Sequence, residues 1–204
     1  MSYYCINIFE ADKKILEPYL DETGFLISDK IISVPNEYRK IVNEALKTKS
    51  YDICSSDEDY ETKEKFREWQ IENWGTTNIW IRVRYFSSKD GKEGFAFETN
   101  RGSADELILK IVENNPDEEI IVRTVTENSA WTVEKHKNGK TQTLNKNKMF
   151  EEYETGQTEI AKYFSDWEEW NYGIGYCWYR KFDKLSEDEN YVLKFEKLKD
   201  EWFE

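Results

Sequence analysis

Ile79-Trp80-Ile81-Arg82-Val83-Arg84-Tyr85-Phe86 alternates aliphatic residues with basic and aromatic ones. A period of two marks a β-strand with two unlike faces. Ile79, Ile81, Val83 and Tyr85 are expected to face a layer of helices, and Trp80, Arg82, Arg84 and Phe86 to share the opposite face. Ser87 to Gly94 reads as a turn region and Phe95 to Thr99 as a second strand, so the two form a hairpin.

Working outward, Tyr3 to Phe9 alternates and reads as an opening strand. Phe25 to Val34 is apolar, β-branched and stopped by Pro35, which predicts extended chain. Glu119 to Thr126 and Ala130 to His136 read as strands. Asn138-Gly139 is a strong hairpin signal, followed by a strand at Thr141 to Leu144. Helices are expected over Asp12 to Leu20 and Glu37 to Leu46. Another should run from the acidic stretch Ser55-Ser56-Asp57-Glu58-Asp59 to about Asn73, stopped by Gly75. Ser103 to Asn114 reads as an amphipathic helix, with Ser103 as N-cap, Glu106 as its capping-box partner, and Asn115-Pro116-Asp117 as its stop.

This order predicts an α+β fold over residues 1–144: a ferredoxin-like antiparallel sheet with helices on one face and helical insertions. Residues 145–204 form an acidic extension that should be mainly helical and pack on that domain. Its polar link is Asn145-Lys146-Asn147-Lys148. A helix is expected over about Glu159–Trp170, an irregular stretch through Gly173 and Gly175, and a last helix near Glu187–Trp202. Eleven of the 33 residues from Phe150 to Phe182 are aromatic, too much apolar area for a solvated tail.

The chain has 204 residues, 38% of them hydrophobic, and a net charge of -13. Its 32 Phe, Tyr and Trp residues supply core area and argue against disorder. The charge repels phosphate backbones and anionic lipid, so binding of duplex DNA at physiological salt is not expected. It suits solubility, or a basic protein partner such as one that binds nucleic acid. Cys5, Cys54 and Cys177 are too scattered for a disulfide framework or a zinc site. No apolar run reaches membrane-span length and no signal-peptide pattern opens the chain, so a cytoplasmic location is expected.

Familiar chemistry is not visible. His136 is the only histidine and reads as an exposed residue beside the Asn138-Gly139 turn. A catalytic triad or Cys-His pair through it has no supporting motif. Asp57-Glu58-Asp59-x-Glu61 lacks the glycine and spacing of a calcium loop and reads as a solvated helix start. Gly91-Lys92-Glu93-Gly94 reads as a hairpin turn, and Gly173-Ile174-Gly175 lacks the third glycine of a dinucleotide fingerprint. No catalytic, cofactor-binding or metal-binding residue is therefore expected, and the chain is read as a non-enzyme.

Two surfaces invite a functional reading. Trp80, Arg82 and Arg84, joined by Arg123 on a later strand, would resemble a base-stacking sheet if left open, and would suit single-stranded nucleic acid. Alternatively the C-terminal segment covers that face. The second reading predicts docking through Trp167, Trp170 and Trp178, with the arginines paired at the rim by Glu168 and Glu169. Glu168, Glu169, Trp170 and Trp178 are also candidates for a protein interface, where Trp and Tyr concentrate binding energy. Asn73-Trp74-Gly75-Thr76 is expected to be a structural corner, with Trp74 buried and Gly75 at positive φ or pressed against another segment.

Several segments together resemble the YubB ferredoxin-like domain family of plasmid and phage proteins, whose function is unknown. They are the opening strand with Cys5 and Asn7, Lys30-Ile31-Ile32-Ser33-Val34-Pro35, Glu72-Asn73-Trp74-Gly75-Thr76, Phe97-Glu98-Thr99, the helix closing at Asn115-Pro116, and the Asn138-Gly139 hairpin. The resemblance spans roughly residues 3–144. It departs after Thr99, where Asn100-Arg101-Gly102-Ser103 stands in place of the family's Trp-Ser-Pro-Pro run. It implies the fold and a mobile-element origin, and carries over no catalytic residue. With the charge, it points to a non-catalytic protein that occupies a site on a host protein. An inhibitor of a nucleic-acid-processing or defence nuclease, such as a CRISPR effector, fits that description. A single-stranded nucleic-acid binder and an enzyme without a familiar motif are the alternatives.

Overall fold

The computed structural model describes residues 4–49, 59–87, 93–154, 167–187 and 198–204; for 152–154, 167–170, 183 and 185–187 it describes the backbone alone. The acidic stretch 55–58, the tip of the first hairpin, Cys54, and the cores of the helices expected over 159–170 and 187–202 lie outside the described residues.

The chain is α+β. Seven antiparallel strands form one sheet in the order β2-β3-β4-β1-β5-β6-β7. β1 is Tyr4–Glu10, β2 Phe25–Ile27, β3 Trp80–Ser87, β4 Glu93–Asn100, β5 Ile120–Thr126, β6 Trp131–Lys137 and β7 Lys140–Thr143. The opening strand lies at the centre, paired with β4 on one side and β5 on the other. Alternation then sorts the side chains into two cores. Phe9, Phe95, Phe97, Ile81 and Val122 point to one face. Ile6, Ile8, Ala96, Ile121, Val125 and Val133 point to the other.

The first face is covered by α1 (Ser28–Ile31), α2 (Arg39–Thr48), α3 (Tyr60–Trp74) and α4 (Asp105–Glu113). Asp59 caps α3 by accepting the Thr62 N–H at 2.9 Å. Gly75 closes that helix at φ 70°, a backbone conformation that costs glycine little. Trp74 is fully buried, and its indole N–H donates to the Ile32 carbonyl at 2.8 Å. Gly75 and Gly102 are pressed together: a Cβ on Gly102 would overlap the Gly75 carbonyl oxygen. Thr76 Oγ1 donates to the Asn100 carbonyl, and the Asn78 side chain accepts the Asn100 N–H at 2.6 Å. The Asn73–Thr76 corner thus ties the end of α3 to the entry of α4.

That tie displaces the expected capping box. Ala104, not Ser103, precedes α4, at φ 58° and with no side-chain cap; its N–H donates to the Gly75 carbonyl instead. Other expectations also change. Asp12 to Leu20 forms two 3-10 turns, Lys13–Ile15 and Glu17–Tyr19, because Pro18 opens the second and cannot continue the first. Only Phe25–Ile27 of the expected extended segment is strand. Ser28 then turns the chain into α1, its hydroxyl donating to the Asn78 carbonyl at 2.7 Å. Tyr85 is 42% exposed rather than under the helices.

The opposite face carries the C-terminal segment. Asn145 accepts the Lys148 N–H and starts α5 (Lys146–Glu154), where a polar link was expected. α6 (Trp167–Glu187) runs unbroken through Gly173 and Gly175. Gly175 permits a close approach rather than a break: a Cβ there would overlap the carbonyl oxygen of Ser129, in the turn between β5 and β6. Ile174, Trp178 and Phe182 of α6 are buried against Ile6, Ile8, Phe86 and Trp131. Beyond a 3-10 turn at Asp200–Trp202, Glu204 exchanges both backbone hydrogen bonds with Thr143, so the end of the described chain blunts the β7 edge. Among the described residues no helix is long and apolar enough to cross a membrane.

Candidate functional site

The aromatic and arginine face is closed from within. Trp80 is 8% exposed, stacked on Phe25 of the edge strand at 3.5 Å between centroids, and its indole N–H donates to Asp21 Oδ2 at 2.9 Å. Burial alone would raise the Asp21 carboxyl. Hydrogen bonds from the Trp80 indole, from Phe25 and from Thr23 together outweigh it and hold the group at about 2. Phe86 is buried under α6. Arg123 is 1% exposed; it pairs with Glu10 and lies 5.4 Å from the Trp178 ring, which meets Trp131 edge-on at 4.9 Å. A charge taken this far from water is tolerated when paired, and here an indole face adds a cation–π contact.

The four residues expected to stack and hold nucleic acid are therefore split. Trp80 and Arg123 belong to the interior. Arg84 is half-buried with its guanidinium 5.0 Å from the Phe182 ring, and Arg82 alone is exposed. Arg82 and Arg84 flank a cleft of about 320 Å³ with Glu98, Asn78, Asn100 and Tyr4. Trp80 and Phe86, the aromatic residues of this strand face, are thus both buried and offer bases no ring to stack on. Trp178, named as an interface candidate, is fully buried in the core. The side chains of Trp167, Glu168, Glu169 and Trp170 lie outside the described residues. The outer surface of α6 instead presents Tyr172 and Tyr176, stacked at 6.3 Å and both at least half exposed.

A different concavity opens on the helix side of the sheet. α4 sends Leu107, Ile108 and Ile111 into the first core with Phe9 of β1 and Ile120 and Val122 of β5, and beside it the polar side of β5, β6 and β7 stays open. The uncovered strip is a groove of about 620 Å³. One wall is α4, with Asp105, Glu106, Ile108 and the exposed Leu109; the floor is the polar side of β5, β6 and β7, with Thr124, Thr126, Thr132, Glu134, His136 and Thr141. Register explains the row: His136 faces Thr141 and Thr124 faces Thr132 across neighbouring strands. Thr124 Oγ1 donates to Asn7 Oδ1 at 3.4 Å, and Asn7 donates to Thr99 at 3.1 Å, linking the groove floor to the buried corner.

His136 is buried, contrary to the exposed turn position expected of it. Its Nδ1 lies 2.9 Å from Thr141 Oγ1 and its Nε2 3.4 Å from Glu134 Oε2. The contact with His136 holds the Glu134 carboxyl below its usual range, so it stays ionised at neutral pH. Cys5 at the inner end has its thiol pushed up to about 11, first by burial and then by the negative charges of Asp105 and Glu127. A thiol so raised is a poor nucleophile. Among the described residues no group of three or more His, Cys, Asp or Glu side chains is placed to hold a metal ion. The groove residues escaped the sequence reading, although Thr124, Thr126, Thr132 and Glu134 alternate with the apolar residues of β5 and β6 and so announce a face without a helix over it.

Comparison with protein families, with curated proteins and with solved structures finds no match for this chain.

Proposed function

We propose that this chain is a non-catalytic binding protein that engages a basic protein partner through its acidic exterior. The observation that carries this reading is the destination of its cationic and aromatic side chains. Among the described residues Trp80, Phe86 and Trp178 are consumed inside the fold and the buried Arg123 is paired with Glu10, so the interior takes up aromatic surface and one neutralised cation and leaves the chain's net charge of -13 unbalanced. An acidic exterior steers a basic partner and repels nucleic acid. A nuclease or other nucleic-acid-processing protein is the partner class with the matching groove, and occupying that groove would inhibit it.

The fold reading that accompanies this is ferredoxin-like. The strand order β5-β1-β4-β3, with α3 and α4 on one face, is that of a split β-α-β unit repeated, extended by β2 at one edge and by β6 and β7 at the other. Origin on a phage, plasmid or other mobile element, and action in the cytoplasm, rest on the sequence resemblance and composition.

The test is capture on the immobilised chain from nuclease-treated host lysate, with gel shifts on duplex and single-stranded oligonucleotides at about 150 mM salt. Retention of a basic nucleic-acid-binding protein that elutes as salt rises is the expected result. Micromolar binding of either oligonucleotide, with no protein retained, would overturn the reading.

A further inference from the structure

We infer that the groove between α4 and the uncovered strip of β5, β6 and β7 is the recognition site for an arginine- or lysine-bearing segment of that basic partner. The inference rests on the binding reading above and locates it.

Charge complementarity identifies the occupant. Asp105 and Glu106 line one wall and Glu134 the floor, while no lysine or arginine among the described residues lines the groove. The field reaches inward, since Asp105 and Glu127 both act on the Cys5 thiol. A protein with 29 basic side chains has left this concavity free of them. An ion here gains most where it can approach several carboxylates at once in a setting less screened than open water.

The walls narrow the chemistry further. Leu109 is 45% exposed beside the buried Ile108, and both line the groove. An aliphatic stem ending in a cation matches such a wall: the methylenes cover Leu109 while the head reaches Glu134. The hydroxyls of Thr124, Thr132 and Thr141 offer acceptors for the remaining N–H donors of a guanidinium. An inorganic cation would leave the apolar wall unused, and a nucleic acid strand would meet the carboxylates with like charge.

The experiment titrates the full chain with a fluorescein-labelled hexa-arginine peptide at about 50 mM and about 300 mM salt. Methyl NMR of Ile108, Leu109 and Val122 reports the groove in parallel. Glu134→Gln and the pair Asp105→Asn with Glu106→Gln should each weaken binding about two- to fivefold, as expected for part-exposed ion contacts. The control pair Glu61→Gln with Glu72→Gln, both exposed on α3, should change it less than twofold beyond the loss of net charge. Groove methyl shifts should move with peptide and not with a hexa-glutamate peptide. Binding that weakens equally in the control and groove variants would overturn the groove while leaving the acidic-surface reading intact. No peptide binding at the lower salt would overturn both. Far-UV spectra and melting temperatures of every variant, all of them changes at exposed or half-exposed positions, exclude unfolding as the cause.

Discussion

The two sides of β5 and β6 meet opposite fates. On one side Val125, Arg123, Trp131 and Val133 are sealed beneath α6, and on the other Thr124, Thr126, Thr132 and Glu134 floor an open groove. The strands are the same and the alternation is equally regular. What differs is whether another segment arrives to cover the face. On the closed side even a guanidinium becomes core, because Glu10 neutralises it and Trp178 lies across it. On the open side β-branched hydroxyl residues keep strand propensity without demanding cover.

Removing the cover is the most severe perturbation of the closed side. Deleting residues 150–204 strips Ile174, Trp178, Phe182, Trp202 and Phe203 from the second core and leaves Arg123 and Phe86 facing water. The fragment 1–149 should lose cooperative unfolding and aggregate, read by size exclusion and a urea melt. A soluble fragment with a sharp transition would show that the sheet does not need α6.

Single substitutions come next. Trp178→Ala should cost about 3–5 kcal/mol as a buried aromatic truncation. Arg123→Ala should cost a similar amount, about 3–5 kcal/mol, because it strands Glu10 away from water. Arg82→Ala, on the same sheet face but exposed, should stay within about 0.5 kcal/mol. Urea denaturation measures all three. Equal effects of Arg82→Ala and Arg123→Ala would erase the distinction between the two arginines. On the helix side, Trp74→Ala should lose about 3–5 kcal/mol.

Much of this was legible beforehand. Local patterns carried the strands, because alternation at Ile79–Phe86 and the Asn138-Gly139 signal act over a few residues; both turn residues adopt positive φ, 53° and 67°. The Trp74-Gly75 corner was legible for the same reason. What escaped depends on distant partners. Ser103 fails as a cap because Gly75 takes over the helix entry. Gly173 and Gly175 look like breakers, yet α6 runs through both, and Gly175 lets the Ser129 carbonyl stand against the helix. Arg123 reads as surface until Glu10 and Trp178 are placed around it. The polar face of the groove was marked by the alternation of Thr124, Thr126, Thr132 and Glu134, but its second wall, Asp105, Glu106 and Leu109 of α4, depends on packing between distant segments.

Gly175→Ala probes that close approach with a smaller effect. The added methyl would overlap the Ser129 carbonyl, so α6 must move away from the β5–β6 turn. Helix propensity favours alanine by about 1 kcal/mol, and overpacking opposes it by about 1–3 kcal/mol. The variant should therefore be less stable, with its Trp131 and Trp178 fluorescence altered. A stabilised variant would mean that α6 does not rest on the turn.

A small effect, marked by its pH dependence, lies at the far end of the closed face, where cover comes from the neighbouring strand rather than from α6. Phe25 lies on Trp80, and Asp21 accepts the indole N–H, the Phe25 N–H at 3.0 Å and the Thr23 N–H at 2.8 Å. Its carboxyl is held at about 2, below its ordinary 3.8. A depressed folded value means that the unfolded chain takes up the proton first. The contribution is thus fully present above 3.8 and is lost as pH falls towards 2. Asp21→Asn keeps an acceptor but removes the charge, so at pH 7 it should cost less than about 1 kcal/mol, given the partial exposure of the site. Its distinguishing mark is the pH profile: the urea midpoint of the parent should drop more steeply than that of the variant between pH 4 and pH 2, and the two curves should converge at the acid end. Parallel curves across that window would show that Asp21 is not held by the Trp80 lid, and that this end of the face is closed by stacking on Phe25 alone.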